Sequence, residues 1–186
     1  MGTMIPASSM NQLVSLRLVA PAMREAEIGP VASRVTAVDD HGTITVTPTI
    51  TAVPYSLGDA VGGLLTFTNA TRGPGLNGEV QTLIVVDRGE QNAALDLILF
   101  DRSFTATADN TPFNPSDADL ANVIGMIPVL PEHYVRFASN SMAMVRPSGL
   151  YFTSAVNNNV YGQLIARGMP TYAIGDLTLR LTVKRN

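Results

Sequence analysis

From about Tyr55 to Arg185 the apolar residues fall in short runs, several of them alternating with polar neighbours, and Gly, Asn, Asp and Pro punctuate the runs. The pattern predicts strands over residues 64–68, 80–86, 95–100, 123–130, 134–137, 142–145, 160–166 and 177–183. Alternation turns one face of a strand toward a core and the other toward solvent. Short strands at near-even spacing, with turn residues between them, describe a β-sandwich or jelly roll. The expected fold is therefore all-β: a jelly-roll-like β-sandwich over 55–186, preceded by an extended N-terminal arm with short elements over 1–54.

The first 54 residues are patterned differently. Leu13, Leu16, Val19, Ala20 and Met23 have loose helical spacing, which Pro21 interrupts, while Val14, Leu16 and Leu18 alternate as a strand would. Both readings stay open. Pro6, Pro21, Pro30, Pro48 and Pro54 oppose long regular elements. Residues 43–53 alternate again, with Pro48 inside, which implies an edge strand or a bulge.

The turns carry their own signals. Asn77-Gly78, at the end of the 69–78 loop, reads as a tight hairpin. Residues 87–92 form the next connection, and 105–119 a long loop with Asn110, Pro112, Asn114 and Pro115. Ser116 to Asn122 reads as a capped helical turn. Asn157-Asn158-Asn159 reads as a turn in which Asn tolerates left-handed backbone.

Composition narrows the function classes. Hydrophobic residues make up 46 % of the chain, enough for a packed core, but charged residues only 15 %, against about 25 % in an average globular chain. A surface so poor in charge is rich in hydroxyls and amides, or is covered by a partner. The net charge is −3. Lys184 is the sole lysine, and the arginines are scattered without a basic cluster, so no nucleic acid is expected as a partner. No apolar run approaches the roughly 18 residues of a spanning helix, so no membrane is expected either. The absence of cysteine removes disulfides, thiolate nucleophiles and Cys-based zinc sites.

Candidate chemistry is sparse. His41 lies in Asp39-Asp40-His41-Gly42, which reads as a solvated turn, and His133 follows a proline turn that opens a strand. There is no Gly-x-Ser-x-Gly elbow for a hydrolase. Gly58-Asp59-Ala60-Val61-Gly62-Gly63 lacks the Lys-Ser/Thr of a phosphate loop, and its glycines are expected to shape a bend entering a strand. Asp117 and Asp119 read as N-terminal charges of a short helix. Asp96 and Asp101 bracket a strand, and a glycosidase needs such a pair, but the chain has no Trp to line a sugar cleft. No catalytic residue, metal or cofactor is expected. Met126, Met142, Met144 and Met169 are assigned to the core, and Met1, Met4, Met10 and Met23 to the arm, where flexible side chains adapt to a partner.

Several segments together resemble a known family. They are Tyr55-Ser56-Leu57-Gly58-Asp59-Ala60-Val61-Gly62-Gly63-Leu64, Gly78-Glu79-Val80-Gln81-Thr82-Leu83-Ile84, Leu95-Asp96-Leu97-Ile98-Leu99-Phe100, Ile124-Gly125-Met126-Ile127-Pro128 and Tyr161-Gly162-Gln163-Leu164-Ile165-Ala166-Arg167-Gly168. Over about 55–183 the chain resembles tailed-bacteriophage head proteins that act as capsid decoration, or cement, proteins. The resemblance implies a jelly-roll-like sandwich, homotrimers at true or quasi-threefold axes, and an arm gripping the major capsid protein on the outer surface of the virion after synthesis in the host cytoplasm. The arm residues expected to bind the shell are Met4, Ile5, Met10, Leu13, Leu16 and Leu18. The loops holding Arg72, Gly73, Pro74, Asn110 and Phe113 are the expected contacts between subunits. Two alternatives are a phage tail or receptor-binding component, and a carbohydrate-binding jelly-roll module using Tyr151, Phe152, Tyr161 and Tyr172 to stack sugars.

Overall fold

The computed structural model describes residues 40–186, where the alternating runs become strands. They are β1 (Asp40–Val46), β2 (Ala60–Phe67), β3 (Asn77–Asp87), β4 (Leu95–Phe100), β5 (Val123–Val129), β6 (Tyr134–Arg136), β7 (Ser141–Val145), β8 (Tyr151–Thr153), β9 (Val160–Ala166) and β10 (Leu177–Arg185). A single helical turn, α1 (Asp117–Leu120), precedes β5, and a 3-10 turn (Pro131–His133) precedes β6.

The strands form two antiparallel sheets. The larger has the order β1-β10-β3-β7-β6, with β8 also on β3, and the smaller has the order β2-β9-β4-β5. The first strand pairs with the last, β2 with β9, β3 with β7, and β4 with β5. The chain is thus one long antiparallel hairpin wrapped over itself, which is the jelly roll expected from the sequence.

Inward positions of both sheets supply the core. Val80, Leu83 and Val85 of β3 and Leu179, Leu181 and Val183 of β10 meet Leu95, Leu97 and Leu99 of β4, Ile127 and Val129 of β5, and Leu164 of β9. Every residue of β9 is buried. Its inner face meets this core, while its outer face lies under the loop between β4 and α1. There Phe104 stacks on Phe100 with ring centroids 3.9 Å apart, beside Tyr161.

Several elements differ from expectation. The Asp39–Gly42 turn is not formed at Asp40, which opens β1 and forms ion pairs with Arg185 and Arg72. β1 is an edge strand, as Pro48 implied, and ends before that proline. With β1 and the buried Ile50, the sandwich includes residues upstream of 55. Asn77 and Gly78 are not a hairpin turn. They begin β3 and pair with Thr153 and Phe152 of β8, because the chain leaving β2 crosses to the other sheet rather than folding back. The left-handed asparagines are Asn69, Asn92 and Asn110, not the 157–159 triplet. Ser116 caps α1 as expected, its hydroxyl accepting the Asp119 N–H at 3.1 Å.

Candidate functional site

The loop from β4 to α1 is the longest connection in the sandwich, and buried polar groups fasten it. Gln163, fully buried on β9, donates through Nε2 to the carbonyls of Gly62 (3.0 Å) and Thr107 (2.6 Å). Its Oε1 accepts the Thr107 N–H at 3.0 Å. Asp109, farther along the loop, accepts four hydrogen bonds. The Thr51 N–H and hydroxyl donate to Oδ2 at 2.7 and 2.6 Å, and the Tyr55 phenol and Gly62 N–H donate to Oδ1 at 2.7 and 2.6 Å.

Partial burial pushes the Asp109 carboxyl upward, but the donors from Thr51, Tyr55 and Gly62 outweigh it and hold the group below the ordinary carboxylate range. Burial, reinforced by Asp109, pushes the Tyr55 phenol well up. Gly62 has φ +74°, and a Cβ there would lie 2.8 Å from Cβ of Pro48. The glycine-rich stretch therefore serves a bend, as expected, and at Gly62 also a close approach to Pro48.

The other titratable candidates are also held by structural partners. Asp96 and Asp101 sit at opposite ends of β4; Asp96 pairs with Arg167 and Asp101 with Arg102. Nδ1 of His133 accepts the Leu130 N–H at 3.1 Å and closes the 3-10 turn. At the far end of β3, burial raises the carboxyl of Asp87, whose Oδ2 accepts the Asn92 N–H at 2.8 Å. Asp87 Oδ1 and the Tyr134 hydroxyl are buried without a hydrogen-bond partner among the described residues.

The sandwich also turns several large apolar side chains outward. Met126 is 50 % exposed, Met144 47 % and Met169 81 %, and Met142 is half-buried, so the expected assignment of these residues to the core is corrected. Met126 and Met144 occupy outward positions of β5 and β7, while Met169 lies in the connection from β9 to β10. Leu57 and Ile174, 69 % and 80 % exposed, stand at the same end of the sandwich as Met169. There the Tyr55 N–H donates to the Pro170 carbonyl and the Gly58 N–H to that of Ala166.

The proposed subunit-contact loops do not come together. Arg72, Gly73 and Pro74 lie beyond the end of β2, where Arg72 pairs with Asp40 and the Gly73 carbonyl accepts the Thr71 and Ser154 hydroxyls. Asn110 and Phe113 lie at the opposite end, bonded through their N–H groups to Ala60 and Gly58 at the start of β2. The expected shell-binding residues Met4, Ile5, Met10, Leu13, Leu16 and Leu18 fall outside the described residues. Of the four aromatics considered for sugar stacking, Phe152, Tyr161 and Tyr172 are buried and Tyr151 alone is exposed. Tyr151 borders an open groove of about 600 Å³ that Asn77, Asp101, Asn122, Thr153 and Asn186 also line. Among the described residues no three His, Asp or Glu side chains converge as a metal site, and no helix is long and apolar enough to cross a membrane.

No protein-family model matches the chain, and no curated protein matches it. Solved structures of infectious bursal disease virus are similar to it. The VP2 subviral particle aligns with 79 % of this chain at 12 % identity and TM-score 0.39, and the Gt strain with 80 % at 11 % identity and TM-score 0.39. The chain spans about a third of the length of those two chains, 33 % in each case.

Proposed function

We propose that this protein is a non-enzymatic structural component of a virion, a decoration protein that binds the major capsid protein on the outer surface of a bacteriophage head and stabilises it. The observation that carries the reading is a jelly roll that turns large apolar side chains outward, at the loop end with Leu57, Met169 and Ile174 and at the strand edge with Met126. Exposed methionines adapt to the relief of a partner, and contiguous exposed apolar surface marks an interaction site. The resemblance of 55–183 to head decoration proteins supports the phage assignment. A non-enzymatic role is supported by the partners of Asp96, Asp101, Asp109 and His133, each engaged in holding a turn, a strand end or a loop.

In this reading the mechanism is distributed burial. Homotrimers sit at threefold positions, loop ends and N-terminal arms reach across joints between shell subunits, and internal pressure must break many weak contacts together. No nucleic acid, membrane or cofactor takes part. The test is the copy number of this chain relative to the major shell protein in purified particles. Decoration predicts a ratio near one per shell subunit. A handful of copies would assign the chain to the tail or portal, and its absence from particles would overturn the virion reading.

A further inference from the structure

Two surfaces of the sandwich have an apolar centre and opposite charge. The first is the outer face of the larger sheet. Register sets Ile84 beside Met144, Val86 beside Met142, and Met142 beside Val135. Arg180 lies on the other flank of Ile84, and Arg146 follows Met144 at the end of β7. Both arginines are exposed, and neither forms an ion pair among the described residues. Arg88 lies on the same face and donates to Thr178 Oγ1 at 2.9 Å. Lys184 stands opposite Glu79, the one carboxylate at an outward position of these described strands.

The second surface is the free edge of the smaller sheet. β5 has no neighbour on its outer side. Leu120, Val123, Met126 and Leu130 are exposed along it. Asp117 and Asp119 of α1 stand before it, and Glu132 of the 3-10 turn follows. From residue 103 to residue 135 the chain holds no lysine or arginine. The charged side chains along this edge are thus Asp117, Asp119 and Glu132, with Arg102, paired to Asp101, beside Asn122 at its start, whereas the outer face of the larger sheet is predominantly basic.

We propose that a second copy of this chain docks its acidic β5 edge on the basic outer face of the larger sheet, and that repetition of this contact closes a small ring. The argument is charge complementarity around matched apolar centres, which steers and orients association. The contact is heterologous, because one patch meets a different patch. The surfaces adjoin at β6, which follows Glu132 and His133 of the 3-10 turn directly and sets Val135 beside Met142 on the outer face. A heterologous contact closes a ring where the rotation between copies closes and otherwise extends a filament, and patches that meet at a corner supply a large rotation per copy. The inference deepens the self-association in the reading above and does not require the partner to be a virion shell.

The test is sedimentation equilibrium of the full chain over a range of concentrations and salt. The wild type is expected to associate, more weakly as salt rises. Arg146→Glu with Arg180→Glu, and separately Asp117→Lys with Glu132→Lys, are each expected to weaken association on the order of tenfold or more, since like charges then face one another. The chain with all four substitutions restores opposite charges in exchanged positions and is expected to recover most of the association. Circular dichroism and thermal unfolding verify that each variant is folded. Should a reversed variant misfold, the neutral sets Arg146→Gln with Arg180→Gln and Asp117→Asn with Glu132→Gln replace it, with a smaller loss expected. A monomeric wild type, unchanged association in both reversed variants, or no recovery in the fourfold variant would overturn the inference and leave the basic face to a foreign partner. Copy number in particles decides the virion reading separately.

Discussion

Asp109 shows how one side chain holds several segments of this sandwich. Its partners Thr51, Tyr55 and Gly62 lie 58, 54 and 47 residues away in sequence, and every partner atom is a donor. Asp109→Asn would turn an amide NH2 toward donors it cannot satisfy. The expected cost is about 1–3 kcal/mol at neutral pH, the worth of hydrogen bonds to a charged group, measured by urea unfolding. The pH dependence follows from the lowered carboxyl. A depressed folded-state value makes the stabilisation complete above the unfolded carboxylate value of about 3.9, and it is lost as pH falls through the lower folded value. The stability gap between wild type and variant should therefore be flat above pH 5 and close in acid; a gap that persists in acid would show that the charge is not its source. None of this was legible in the sequence, where Asp109 is one polar residue in a polar loop. Gly62 was partly legible. Its glycine-rich context announced a bend, but not the Pro48 backbone and ring it passes or the hydrogen bonds it makes to Asp109 and Gln163.

Among the elements, β3, β4, β5, β7, β9 and β10 were readable from their apolar runs, since at least one face of each is committed to the core. β8 was not. Its three residues complete no alternation, and it exists because Asn77, Gly78 and Glu79 offer β3 backbone to pair with. Asn77-Gly78 carried a local hairpin signal that the crossover to the other sheet overrode. The methionines misled because an apolar residue in a strand does not reveal which face it occupies, and in β5 and β7 theirs is the outer one. The sequence likewise marked 105–119 as a long loop without showing that it covers β9. That cover depends on Gln163. Gln163→Ala would leave the Thr107 N–H and two carbonyls without their buried partner, at an expected cost of roughly 2–4 kcal/mol. Hydrogen exchange should locate the effect, with protection falling in residues 101–116 and around Gly62 while the β10–β3 ladder keeps its own. Uniform loss of protection through both sheets would mean that the loop and the core unfold as one unit.

For the whole molecule, the wrap of the jelly roll decides where the sandwich begins. A boundary at residue 54 is natural in the sequence, because proline and weak patterning end there. In the folded chain β1 occupies the edge of the larger sheet and pairs with β10 from Asp40 opposite Arg185 to Val46 opposite Leu179. A chain starting at residue 55 would bare the β10 edge, remove Ile44 and Ile50 from the core, and strip Asp109 of both Thr51 donors. Truncating one such buried aliphatic side chain costs about 2–5 kcal/mol, against a total stability of roughly 5–15 kcal/mol for a domain. Residues 39–186 are therefore expected to unfold in one cooperative thermal transition, and residues 55–186 to show none at 25 °C or a midpoint far lower. Equal midpoints would mean that β1 is an accessory to the sandwich rather than the first strand of its wrap. Because β1 lies at the opposite edge of the larger sheet from β6, its loss should also leave Arg146 and the apolar positions of β7 in place in any molecules that remain folded. Residual association in those molecules would then separate the ring contact from the stability of the edge that carries the chain into the N-terminal segment.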